Sequence, residues 1–157
     1  MNTFQSFDGV QIAYWDQGEG EPIILLHGFT ADSHINWELS GIADELLKSG
    51  RRVIMMDARG HGQSDKPHTS YSYWNRAMAK DVGGLAEHLI LYDYDILGYS
   101  MGAKVAIEAS LMFGRIKSMV LSGLEIYDKD WTLSEKEREA KVDSMLSDNP
   151  EGKDEYW

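Results

Sequence analysis

The chain contains no cysteine. That absence excludes disulfide bonds, cysteine nucleophiles and thiolate metal sites. It is also typical of a reducing compartment, so we expect a cytoplasmic protein. Long hydrophobic runs are lacking as well, and the first residues show no basic segment followed by an apolar one. We therefore expect neither a membrane-spanning helix nor a secretory signal.

Basic residues are scarce relative to acidic ones. The chain has 15 Lys and Arg against 26 Asp and Glu, which gives a formal net charge of -11 at pH 7. Phosphate backbones repel such a chain, so the sequence argues against nucleic acid and anionic membranes as partners. No group of histidines and carboxylates has the spacing of a metal site, and no cofactor-binding signature is present, so we expect no cofactor.

What the sequence does contain is an alternation of strand and helix patterns. An Asp8-Gly9 turn between two alternating segments predicts an antiparallel hairpin at the N-terminus. Helical patterns over about residues 32–50, 73–91 and 101–113 lie between apolar runs that predict strands, namely "EPIILLHG", "RRVIMMDA", "YDIL" and "IKSMVLSGL". This order predicts an α/β fold of three layers, in which a mostly parallel sheet has helices on both faces.

The residue composition of the chain changes after residue 124. Residues 1–124 form the predicted core, whereas residues 125–157 are charge-rich and hold one predicted helix over residues 133–146. That helix has a modest apolar stripe, which fits either a solvated terminal helix or an element that covers the core or binds a partner. A Gly83-Gly84 pair inside the second core helix predicts close packing there, since each glycine costs about 1 kcal/mol relative to alanine.

The segment "ILGYSMGAKVAIEA" carries the strongest chemical signal. It places Ser100 between Gly98 and Gly102, after an apolar strand and before a helical pattern, which is a G-x-S-x-G arrangement. A sharp strand-to-helix turn then holds the serine Oγ above the sheet, and the start of the helix favours developing negative charge. The alternative is a glycine-rich turn with an incidental serine. The strand before Ser100 and the helix after it favour the first interpretation, a nucleophilic serine held at the turn between them.

Two other strand ends carry polar or glycine-rich segments. The segment "HGF" leaves the first core strand with a glycine that lets the backbone bend. We predict that the N–H groups of Phe29 and Met101 form a two-donor oxyanion hole, although a plain turn is the alternative. The segment "DARGHGQS" leaves the next strand. There we expect a local ion pair between Asp57 and Arg59, in a loop that braces the site and takes no part in the chemistry.

In their order and spacing, "HGF", "DARGHGQS" and "LGYSMGAKVA" resemble the α/β-hydrolase superfamily. The resemblance covers about residues 4–124 and is closest to the small serine esterases, lactonases and C–C bond hydrolases. It implies that Ser100 is the nucleophile and that Phe29 and Met101 supply the oxyanion-hole N–H groups. It also implies that this chain is the N-terminal portion of the fold and lacks the last two strands of the family sheet.

The base is the missing part of this pattern. In the family the catalytic histidine follows the serine along the chain, but none of the five histidines here lies after Ser100. His27 and His61 are the substitutes that lie closest to the predicted site. Glu125 and Asp128 follow the last core strand, where some relatives carry their acid, but a carboxylate cannot help without a histidine to orient. A serine hydroxyl is a poor nucleophile without a base.

Two functions from different classes remain open. The first is a serine hydrolase that acts on carboxylic esters or related acyl substrates through Ser100. The second is a catalytically impaired or inactive fragment that acts as an oligomerising scaffold, and perhydrolase or C–C hydrolase activity is a weaker third option. In each case the last predicted strand would leave an apolar sheet edge, so we expect a homo-oligomer, most simply a two-fold dimer.

Overall fold

The computed structural model describes residues 1–124. The predictions for Glu125, Asp128 and the helix over residues 133–146 lie outside these described residues. Within them, six strands form one sheet in the order β1-β2-β4-β3-β5-β6. The strands are β1 (Asn2–Gln5), β2 (Gln11–Gln17), β3 (Pro22–Leu26), β4 (Arg52–Met56), β5 (Tyr94–Tyr99) and β6 (Ile116–Ser122).

The pairing of the strands confirms the predicted sheet. β1 pairs antiparallel with β2, and β2 pairs antiparallel with β4, whereas β4, β3, β5 and β6 run parallel. The parallel register sets Leu26 of β3 beside Met56 of β4 and beside Gly98 of β5. The segments that follow these three strands therefore leave the sheet at one edge, which is where open α/β sheets place their sites.

Helices cover both faces of the sheet, as the three-layer prediction requires. The helices are α1 (Ile42–Lys48), α2 (Ala77–His88) and α3 (Met101–Met112), with a π-helical turn at His34–Glu38 and a 3-10 turn at Ser70–Tyr73. Side chains of β3 alternate between the two cores because successive residues of a strand point to opposite faces. Ile24 and Leu26 pack with α2 and α3, and Ile23 and Leu25 pack with Trp37 and α1.

Two predicted helices are shorter than the sequence pattern indicated. The pattern over residues 32–50 is broken at Gly41, whose φ of 77° lies in the left-handed region and separates the π-helical turn from α1. The pattern over residues 73–91 begins later, because Asn75 and Arg76 have φ values of 52° and 57° and cannot continue a right-handed helix. α2 therefore begins at Ala77.

The glycine pair inside α2 packs closely against two neighbours, as predicted. A Cβ placed on Gly83 would lie 2.3 Å from the ring of Phe113, and one on Gly84 would lie 3.2 Å from the ring of Phe4. Since Phe113 follows α3, the bare surface at Gly83 lets the end of α3 approach α2. The helix-propensity cost of these glycines is offset by this close packing.

β6 is the outermost strand of the described sheet on one side. Met119 and Val120 of β6 are 38% and 54% exposed, and Val120 also lines a groove of about 460 Å³ beside Leu97. The homo-oligomer stays a prediction, which light scattering on the purified chain tests directly. None of the helices within residues 1–124 has the length and apolar character needed to cross a bilayer.

Candidate active site

Ser100 occupies the turn between β5 and α3. Its backbone has φ 51° and ψ −110°, a conformation that residues other than glycine rarely adopt. Ser100 N–H donates to the Ser122 carbonyl at 2.9 Å, and the Ser100 carbonyl accepts the N–H of Ala103 at 3.1 Å. The turn is therefore held from β6 on one side and from the first turn of α3 on the other.

The two glycines around Ser100 leave space that no other residue would leave. A Cβ on Gly98 would lie 2.5 Å from the carbonyl oxygen of Gly102, and one on Gly102 would lie 2.1 Å from the carbonyl oxygen of Leu26. Both obstacles are backbone atoms, which cannot move aside as a side chain can. The start of α3 thus packs directly on the backbone at the end of β3, and this brings Met101 close to the turn that begins at His27.

The turn after β3 is held by side chains from two directions. Gly28 N–H donates to Asn36 Oδ1 at 2.8 Å, and the Gly28 carbonyl lies 2.8 Å from His27 Nδ1. The ring of Tyr99, the residue before Ser100, lies 3.0 Å from the position of a Cβ on Gly28. The predicted oxyanion-hole residues Phe29 and Met101 therefore follow two turns that touch each other.

The predicted substitute bases lie beside that turn but are engaged with the backbone. His27 is 1% exposed, and its Nε2 accepts the N–H of Ala58 at 3.0 Å. His61 Nδ1 lies 3.1 Å from the Arg59 carbonyl, and His61 Nε2 contacts the Phe29 carbonyl. The rings of His27 and His61 are 5.2 Å apart.

None of these contacts of His27 and His61 within residues 1–124 involves the hydroxyl of Ser100. The described residues thus bring together Ser100, the predicted nucleophile, and the two turns with the predicted oxyanion-hole N–H groups, and His27 and His61 form no hydrogen bond with the serine hydroxyl.

The expected ion pair between Asp57 and Arg59 is wrong. Asp57 instead accepts two backbone N–H groups, from Ser33 at 2.9 Å and from Gln63 at 2.7 Å. The carboxylate of Asp57 therefore ties the loop after β4 to the start of the π-helical turn. The expected bracing by this loop fits these contacts.

Arg59 turns away from Asp57 into a buried network. Its Nε and Nη2 donate to the two carboxylate oxygens of Asp81 at 2.7 and 2.6 Å, and its Nη1 donates to Asp8 at 2.7 Å. The side chains of Arg59 and Asp81 are both 0% exposed. Ser6 Oγ adds a further bond to Asp81. The network ties the N-terminal hairpin, the loop after β4 and α2 together.

Sequence reasoning missed Asp81, although a signal was present. On α2, Val82 and Leu85 are buried and Met78 packs against the same core, and Asp81 lies one turn from Met78 and from Leu85. A carboxylate on an apolar helix face predicts a buried partner, because an unpaired buried charge is very costly. Asn36 was missed as well, and no pattern in the sequence marked it.

Comparison with known proteins decides the family. A family model described as the alpha/beta hydrolase fold matches residues 21–153. The chain belongs to the alpha/beta hydrolase family. Members of this family that resemble the chain differ widely in the activities given in their names, so membership by itself leaves the substrate open.

Three relatives illustrate that range. A putative 2-succinyl-6-hydroxy-2,4-cyclohexadiene-1-carboxylate synthase of Bacillus subtilis is 31% identical over 144 residues, which are 90% of this chain and 50% of that protein. A putative non-heme chloroperoxidase of Synechocystis is 39% identical over 59% of this chain and 32% of its own length. The solved esterase of Exiguobacterium antarcticum is 32% identical with a TM-score of 0.70, covering 81% of this chain and 48% of that one. The chain thus spans about half or less of the length of these three relatives.

Proposed function

We propose that this hydrolase cleaves carboxylic esters or related acyl compounds, with Ser100 as nucleophile and the N–H groups of Phe29 and Met101 as oxyanion hole. The observation that carries the proposal is the backbone of Ser100, at φ 51° and ψ −110° between a strand and a helix. Such strain costs about 1–3 kcal/mol and clusters at active sites. The similarity to an esterase that is 32% identical supports an ester as the substrate class.

The proposed reaction has two covalent steps. Ser100 Oγ attacks the ester carbonyl carbon, its proton passes to a base, and the carbonyl oxygen takes up the negative charge. The N–H groups of Phe29 and Met101 stabilise that charge, and one such donor is typically worth about 10²–10³ in kcat. When the intermediate collapses, the ester C–O bond breaks, the leaving oxygen takes the proton back from the base and departs as the alcohol, and the acyl group stays on Ser100. Water then releases the acid and restores the serine hydroxyl.

The environment of the histidines favours a second candidate function, a hydrolase that acylates at Ser100 but turns over slowly or not at all. Both ring nitrogens of His27 are engaged with backbone groups, and both nitrogens of His61 face carbonyl oxygens. An enzyme without its base still retains about 10³–10⁴-fold acceleration over water through binding and the oxyanion hole. This candidate therefore predicts weak activity at Ser100.

Two reagents separate these candidates. The purified chain is incubated with a fluorophosphonate, which reacts covalently with an activated serine, and separately with p-nitrophenyl acetate, whose turnover releases a coloured product. Ser100→Ala is the matched control. We expect labelling and turnover that both depend on Ser100. Labelling without turnover would favour the impaired hydrolase, and the absence of both would refute the proposed function.

A further inference from the structure

A cavity lies near the C-terminal ends of α2 and α3, away from the turn that holds Ser100. Its volume is about 220 Å³, which corresponds to about seven water volumes. Much of its wall is apolar, since Ala86, Met112 and Phe113 line it beside the bare surface of Gly83. Met112 is also exposed, so a molecule can enter from solvent. The cavity therefore has the size and the wall for a small organic molecule with an apolar body.

The wall also includes Tyr94, the first residue of β5. Tyr94 is 1% exposed, and its hydroxyl is buried with no hydrogen-bond partner among residues 1–124. A buried hydroxyl without a partner is costly, and phenylalanine would fill the same space without that cost. Burial raises the pKa of Tyr94 to about 12, and the charge of Arg115 opposes this shift. The hydroxyl therefore keeps its proton at neutral pH and has a hydrogen bond to donate.

The charges around the cavity are of both signs. Arg115 supplies a positive charge and Glu87 a negative one. In addition, α2 ends at His88 and α3 ends at Met112, and helix C-termini carry partial negative charge. A ligand with a full charge of either sign would meet a like charge here. A neutral oxygen would accept the hydrogen bond of Tyr94 without that repulsion.

We propose that this cavity binds a small neutral molecule with an apolar body and a carbonyl oxygen, and that the Tyr94 hydroxyl donates a hydrogen bond to that oxygen. The site is separate from the candidate active site. Tyr94 begins β5 and Ser100 follows its last residue, so the two lie about 20 Å apart at about 3.3 Å per residue of strand. Binding at Tyr94 needs no chemistry at Ser100, and its test is therefore independent of the proposed function.

Acetophenone is a suitable probe, because it joins one carbonyl group to a single apolar ring. We titrate the purified chain with acetophenone and follow the backbone amides by ¹H–¹⁵N NMR. Saturable shifts are expected at the amides of Gly83, Gly114 and Arg115, which line the cavity. Ser100→Ala should bind acetophenone with the same affinity as the wild type.

Two further compounds test the chemistry of the ligand. Ethylbenzene keeps the ring and lacks the oxygen, so it should bind more weakly than acetophenone. Benzoate is similar in size and carries a full negative charge, so the carboxylate of Glu87 and the two helix ends should weaken its binding as well.

Two tyrosine variants isolate the hydroxyl. Tyr94→Phe removes the buried hydroxyl, and the matched control Tyr92→Phe removes the hydroxyl of a tyrosine that is 79% exposed. Tyr94→Phe should weaken acetophenone binding by about 2- to 10-fold, the contribution of one neutral hydrogen bond, and leave ethylbenzene binding unchanged. Tyr92→Phe should change neither. Thermal unfolding should show Tyr94→Phe to be at least as stable as the wild type, because no bond within residues 1–124 is lost.

Several results would overturn the proposal. Acetophenone that gives no saturable shift, or shifts centred on Ser100, would show that the cavity does not bind such a molecule. Equal affinity of Tyr94→Phe and the wild type for acetophenone would exclude the hydroxyl, and benzoate binding as tightly as acetophenone would exclude a neutral ligand. Failure of Tyr94→Phe to fold would count against an unpartnered hydroxyl. In that case, equal binding of acetophenone and ethylbenzene by the wild type would exclude the hydrogen bond.

Discussion

The Cα of Gly102 packs so closely on the Leu26 carbonyl that a Cβ would lie 2.1 Å from its oxygen. This contact sets the start of α3 against the end of β3. Gly102→Ala should therefore move the helix and destabilise the fold by about 1–3 kcal/mol or more, because the obstacle is backbone. Urea denaturation measures this loss. Gly114→Ala is the control, since nothing lies within 4 Å of its added Cβ, and it should be neutral to within about 0.5 kcal/mol. Equal stability of both variants would contradict the contact.

The strained backbone of Ser100 predicts a gain of stability when its side chain is removed. Glycine populates φ 51° readily, whereas serine pays about 1–3 kcal/mol there. Because glycine loses about 0.4–1 kcal/mol more in entropy on folding, Ser100→Gly should stabilise the protein by about 1 kcal/mol. Ser100→Ala keeps the Cβ and should change the free energy of unfolding little. If the two variants unfold at the same denaturant concentration, the strain is not present.

The ion pair of Arg59 and Asp81 predicts a large loss of stability when one partner is removed. Both side chains are fully buried, so Asp81→Ala would leave a guanidinium charge inside the protein without its bidentate carboxylate partner, while Asp8, the Ser72 carbonyl and the Phe7 ring remain beside it. We expect a loss of about 3–5 kcal/mol in the free energy of unfolding. Glu45→Ala, which breaks the exposed pair with Lys48, should cost about 0.5 kcal/mol or less. A small effect of Asp81→Ala would show that the network is not structural.

The buried His27 predicts that mild acid weakens the fold. Burial lowers the pKa of His27 below its ordinary 6.5, while nearby Asp57 and Asp32 raise it and His61 lowers it. The unfolded chain then binds the proton more tightly than the folded one. Stability should therefore fall as the pH drops below about 6.5, by at most about 1.4 kcal/mol per pH unit.

Comparison with His27→Phe isolates this contribution. The exposed His34, whose pKa is raised by a hydrogen bond from its ring to Glu38, acts in the opposite sense and remains in both proteins. Urea denaturation between about pH 7.5 and pH 5.5 should show a flatter dependence for the variant than for the wild type. Parallel curves would mean that His27 binds its proton equally well in the folded and unfolded states.

The fold was predictable from the sequence because its signals are local. Apolar runs such as "PIILL" and "RVIMM" mark buried strands, and glycines at positions 98 and 102 mark the turn around Ser100. The bend before α2 was not predictable, because Asn75 and Arg76 adopt positive φ without any glycine to signal it.

The details of the candidate site depend on contacts that are distant along the chain. Arg59 pairs with Asp81 and not with its near neighbour Asp57, since the folded chain offers a buried, bidentate partner that the local sequence does not show. The tautomer of His27 likewise follows from Ala58, which is 31 residues away. Local sequence patterns predicted Ser100 as the nucleophile, but they did not predict the hydrogen bonds around it.

Covalent chemistry at Ser100 is tested most directly by trapping the acyl group. The chain is mixed with p-nitrophenyl acetate, quenched in acid during turnover, digested and examined by mass spectrometry. The proposed mechanism predicts an acetyl group on the peptide that contains Ser100, absent from Ser100→Ala, which should also lose turnover. Release of p-nitrophenol with no acetyl group on that peptide, or unchanged turnover by Ser100→Ala, would contradict it.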